Sequence, residues 1–135
     1  MTAQTAITHH AKRSYALLEV DHPFEVKVDK NSELFDIKSV GYDDFNGKLS
    51  HNVSAHPKVD NRTGHFMAFG YSREMPVVHY SVFDKNRELV TNINIPIASI
   101  RMLHDFAITE NFSIIPDLPL ENNPKNCVKD GKFIY

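Results

Sequence analysis

The sequence predicts an all-β fold of propeller type. Helical periodicity is scarce, and short runs rich in β-branched and aromatic residues take its place. Clusters of turn formers separate those runs. One four-run unit also occurs twice.

The predicted strands are, in order, "SYALLEV" (14–20), "FEVKV" (24–28), "LFDIKSV" (34–40), "HFMAFGY" (65–71), "VVHYSVF" (77–83), "LVTNINIPI" (89–97), "FAIT" (106–109) and "FSIIP" (112–116). Between them stand Asp29-Lys30-Asn31, Asp60-Asn61-Arg62-Thr63-Gly64, Asp84-Lys85-Asn86 and Glu110-Asn111. These residues turn the chain through local side-chain hydrogen bonds or tolerance of positive φ. The turn "DKNSEL" at 29–34 recurs as "DKNREL" at 84–89, and its surroundings recur with it. The first copy runs from "FEVKV" through "SAHPKVD" to "HFMAFGY"; the second runs from "VVHYSVF" through "MLHDFAI" to "FSIIPDL". Each unit has four strands, with a histidine entering the third: His56 in one, His104 in the other. A four-stranded repeat of roughly 40–50 residues is the signature of a propeller blade. Equivalent positions of successive blades face one axis, so the two histidines are expected to point toward each other. A β-sandwich remains the alternative on the repeat alone.

Composition narrows the function. The chain has 135 residues, a formal net charge of −2 and a pI near 6.4. That fits one domain and lacks the basic footprint of a nucleic-acid binder, so no nucleic-acid partner is expected. No apolar run approaches the roughly 20 residues of a membrane helix, and no apolar secretory region is expected at the start. The single cysteine, Cys127, excludes a disulfide within the chain and points to a reducing compartment.

From residue types alone, His56 reads as a surface histidine held extended by Pro57. His104 reads as a capped strand start beside Asp105, and Glu19 as a solvent-facing strand end. The other six histidines, His9, His10, His22, His51, His65 and His79, read as surface or turn residues. Phe66, Ala68, Phe106, Ile108 and Ile114 read as sheet packing, and Asn122–Lys132 as a polar loop.

Two stretches change that reading. "SAHPKVDNRTGHFMAFGYS" and "MLHDFAITEN", with "PDLPL" after it, resemble the carotenoid cleavage oxygenase family, plant type. "AQTAITHHAKRSYALLEVDHPFEVKV" and "PKNCVKDGKFIY" are similar to the family segments before and after, so the resemblance covers essentially the whole chain. It implies a seven-bladed β-propeller holding one Fe(II) on its axis by four histidines. His56 and His104 correspond to the first two. Glu19 corresponds to a glutamate that supports a ligand histidine through its other ring nitrogen. The third and fourth histidines belong to motifs beyond this stretch. Residues 1–135 are therefore expected to be a partial domain of about two blades, lacking N- and C-terminal parts of the family domain. The sequence departs from the family pattern at Ser54 (threonine is usual), Asn61 (proline), His65 (acidic) and Gln4 (asparagine).

The implied activity is a non-heme Fe(II) dioxygenase that cleaves a conjugated carbon–carbon double bond of a carotenoid or apocarotenoid with O2. The alternatives are an inactive truncated fragment or non-catalytic propeller module, and a stilbene-cleaving dioxygenase. Peripheral membrane contact of the full-length protein and an intracellular location, plastid stroma or cytosol, are further implications of the resemblance.

Overall fold

The computed structural model describes residues 5–19, 21–29, 36–72, 75 and 77–120. Every regular element among them is a strand. The first sheet is an antiparallel meander of β1 (Ala6–His10), β2 (Arg13–Leu17), β3 (Phe24–Asp29) and β4 (Asp36–Tyr42). The second repeats that order with β5 (Lys58–Val59), β6 (Phe66–Tyr71), β7 (Val77–Phe83) and β8 (Leu89–Pro96). A hairpin of β9 (Ala107–Ile108) and β10 (Ser113–Ile114) forms the third sheet. The fold is an arc of a β-propeller, about two blades with a further hairpin.

The boundaries of the repeat differ from the sequence expectation. The repeated unit began at "FEVKV" and "VVHYSVF", yet those are the third strands of their sheets. The unit is real but offset by half a sheet, because it joins the outer hairpin of one sheet to the inner hairpin of the next. β1 was not among the expected strands. Of the two "DKN" turns, Lys30–Leu34 lies outside the described residues. The second turn is built on Asp84, whose carboxylate accepts the backbone N–H groups of Asn86 and Glu88, both at 2.8 Å.

Side-chain alternation along β6 and β7 explains how the sheets stack. Phe66, Ala68 and Phe83 face the first sheet and pack with Tyr15, Leu17, Phe45, Leu49 and Val53. Met67, Phe69, Tyr71, Val78 and Tyr80 face the other way and pack with Leu103 and Phe106. The second sheet is thus covered on both faces. Ile114, expected to pack with this group, is instead exposed, while Ile108 packs against it.

A buried ionic cluster joins the first two sheets. Arg87, from the β7–β8 turn, donates to both carboxylate oxygens of Asp43, and its guanidinium lies over the Phe45 ring, 4.8 Å from the centroid. Tyr15 donates to Asp43 at 2.8 Å, and Arg13 donates to Glu25 at 2.7 Å. Burial, then the Asp43 carboxylate, pushes the Tyr15 hydroxyl pKa far up.

Two histidines expected at the surface are interior. His10, the last residue of β1, is 3% exposed; its Nε2–H donates to the Gly64 carbonyl at 3.2 Å and its ring lies against Phe66 and Phe45. His51 is also buried, donating from Nδ1 to its neighbour's carbonyl at Asn52 and meeting the Ser81 hydroxyl at Nε2, both at 2.7 Å. Desolvation by burial lowers the pKa of each.

Candidate metal centre

The site is assembled from three loops that each lead into or out of an inner hairpin. His56 precedes β5 by two residues, and Pro57 keeps its backbone extended. His104 precedes β9 by three residues, with Leu103 and Phe106 on either side anchored in the core. Glu19 follows β2 by two residues. An isolated bridge between Asp21 and Val53, closed by a 3.0 Å hydrogen bond from Val53 N–H to the Asp21 carbonyl, lays the Glu19 loop beside the approach to His56.

The three side chains named from the sequence therefore meet. Nε2 of His56 lies 3.0 Å from Nε2 of His104, with ring centroids 4.4 Å apart and planes inclined at 69°. On the far side of His104, Nδ1 lies 2.7 Å from Oε1 of Glu19. One donor atom from each residue lies within 4.8 Å of the others. The Glu19 side chain is 13% exposed and the His104 side chain 56%. Burial raises the Glu19 pKa, opposed by the charge of His104, the backbone N–H of Ala55 and His56.

This geometry fits a shared cation. Two nitrogens each about 2.1 Å from one ion can stand at most about 4.2 Å apart, and the observed 3.0 Å lies within that reach. Glu19 faces the opposite ring nitrogen, the position from which a carboxylate fixes a metal-bound imidazole's tautomer and raises its basicity. With Nδ1–H turned to Glu19, the lone pair of a neutral His104 ring is at Nε2, directed at His56. Imidazole suits zinc, copper, iron and nickel alike, so the donor set alone does not select iron.

Ser54 and Gly70 were not singled out as site residues. Ser54 departs from the family pattern, where threonine is usual, and its hydroxyl bonds the backbones of both histidines. Gly70 lets the segment before His56 lie directly on β6: a Cβ there would sit 1.8 Å from the Asn52 carbonyl oxygen.

The sequence matches the RPE65 family, described as retinal pigment epithelial membrane protein, over residues 1–134. The chain belongs to this family, the carotenoid cleavage oxygenases. Carotenoid 9,10(9',10')-cleavage dioxygenase 1 of Pisum sativum is 42% identical over 134 residues, covering 99% of this chain and 24% of that protein. The chloroplastic 9-cis-epoxycarotenoid dioxygenase NCED2 of Oryza sativa subsp. japonica is 37% identical over 135 residues, covering 98% and 23%. Among solved structures, the lignostilbene dioxygenase of Pseudomonas brassicacearum superposes with a TM-score of 0.83 at 27% identity, covering 98% of this chain and 27% of that one. The chain thus spans about a quarter of the length of these carotenoid oxygenases.

Proposed function

We propose that the chain is part of a non-heme iron dioxygenase that cleaves a conjugated double bond of a carotenoid or apocarotenoid. His56 and His104 are two of the iron ligands, and Glu19 holds His104 by its outer nitrogen. The observation that carries this reading is the paired Nε2 atoms at 3.0 Å with a carboxylate on the far nitrogen, in a chain whose relatives are named as carotenoid dioxygenases. The reaction balances without a reductant: the C=C bond and the O–O bond break, and each carbon leaves with one oxygen as a carbonyl. Iron(II), when bound, supplies the centre at which O2 is activated. His56 and His104 orient it, and Glu19 keeps the His104 proton on Nδ1. A polyene is far more soluble in a bilayer than in water, which favours peripheral membrane contact by the full-length protein. The chloroplastic relatives favour the plastid over the cytosol.

The test uses native-length protein loaded with Fe(II) and supplied with an apocarotenoid under ¹⁸O2. One labelled oxygen in each of two carbonyl products is expected, and His56→Ala or His104→Ala should abolish both. Cleavage that survives either substitution, or label in only one product, would overturn the reading. Stilbene cleavage is the second reading, favoured by the superposition on the lignostilbene enzyme. A hydroxystilbene supplied in parallel separates the two by which substrate yields aldehydes.

A further inference from the structure

We propose that Ser54 is a positioning residue that sets the spacing of the two histidines. The inference rests on their reading as joint metal ligands. Ser54 is 1% exposed. Its own backbone N–H donates to the Phe69 carbonyl at 2.6 Å, which fastens it to β6 in the middle of the second sheet. Its hydroxyl then works in two directions. It accepts the backbone N–H of His56 at 3.1 Å and donates to the backbone carbonyl of His104 at 3.1 Å. A hydroxyl has one proton and two lone pairs, so both bonds form together. One oxygen thereby connects the two loops whose side chains stand 3.0 Å apart.

A second link joins the same loops. Lys58 donates to Asp105 at 2.6 Å, but these side chains are 29% and 52% exposed, where water and salt weaken the pair. The Ser54 hydroxyl belongs to a buried residue and its two bonds are part-buried, so breaking them removes partners from the His56 N–H and the His104 carbonyl where water only partly replaces them. Leu103 and Phe106 hold the His104 segment against the second core. They fix its depth, whereas the Ser54 hydroxyl relates it to His56. A shift of a few tenths of an ångström between the loops changes the bite of the nitrogen pair, and metal affinity responds to such outer partners by roughly 10–100-fold. Threonine keeps the hydroxyl, so the departure from the family pattern at this position preserves the link.

The experiment titrates Co(II), standing in for iron, into native-length protein against a chelator and records the visible absorption of the bound ion. Ser54→Ala should weaken binding by roughly 10–100-fold and shift the cobalt bands. Ser54→Thr should restore both, and Ser54→Val, which matches threonine in shape without the hydroxyl, should not. In a His104→Ala background, Ser54→Ala should cost nothing further, because there is no longer a pair to space. Equal affinity for Ser54→Val and Ser54→Thr would overturn the proposal. So would an undiminished Ser54→Ala penalty in the His104→Ala background, or a Ser54→Val protein that loses its fold rather than its metal. Cobalt binding that is indifferent to both His56→Ala and His104→Ala would sink the metal-site reading instead.

Discussion

Glu19, His56 and His104 illustrate how far single residues can be read. Each has an unremarkable interpretation by type: a strand end, a residue before proline, a strand start. The surrounding motifs singled them out, and the structure brings all three together. The role of Ser54 was illegible because hydrogen bonds 2 and 50 residues away depend on how two sheets pack. His10 and His51 misled for the opposite reason, since a histidine with a backbone acceptor and aromatic neighbours can be interior. Two expectations belong at this scale. Glu19→Gln keeps the shape but removes the negative charge beside His104 Nδ1, so metal affinity should fall by roughly 10–100-fold, read by chelator competition. The second concerns His10. Its folded pKa lies below 6.5, so the unfolded chain binds more protons just under that value. The His10 contribution to stability is therefore present above about pH 6.5 and lost as pH falls toward the folded pKa. Urea midpoints of the native-length protein should drop between pH 7.5 and 5.5. His10→Phe should shallow that drop without abolishing it, because His51 is shifted in the same direction.

Strands were the most readable elements because alternation and turn chemistry are local. β1 escaped notice because its connection to β2 is made by Ala11 and Lys12, with φ of 49° and 64°. Tight hairpin turns with positive φ usually announce themselves with Asn-Gly or Gly, and this one does not. The half-sheet offset has a similar origin: a repeat fixes the period but not where a sheet begins. Gly70 was hidden as well. Its neighbour across the gap, Asn52, belongs to a segment that is not a strand, and no pairing pattern exposes the close approach. Gly70→Ala should push the Asn52–Ser54 segment off β6. The cost should reach or pass the upper end of the roughly 1–3 kcal/mol typical of overpacking, because the clash is with backbone. A lowered thermal midpoint together with reduced metal content is the expected result. An unchanged midpoint would mean that the segment yields freely.

At the scale of the whole molecule, the repeat left propeller and sandwich both open and the family resemblance decided for the propeller, but neither told the extent of its surfaces. The second sheet is covered on both faces, while among the described residues the first and third each have one face uncovered. Ile7, Val28, Ile37 and Val40 are at least half exposed in the first sheet, as are Phe112 and Ile114 about the third. Propellers close with roughly four to eight blades, and unpaired edges and apolar faces promote association. Residues 1–135 expressed alone should therefore self-associate on size exclusion and fail to cleave an apocarotenoid in the presence of Fe(II). A monodisperse, active monomer would contradict this. The pairing of His56 with His104 also bears on the unfolded chain. An ion gripped by both would act as a cross-link between positions 48 residues apart. By chain entropy alone, a link of that span would destabilise the unfolded state by about 4 kcal/mol. A metal ion bound there would then be a fastener, holding adjacent blades together against thermal separation.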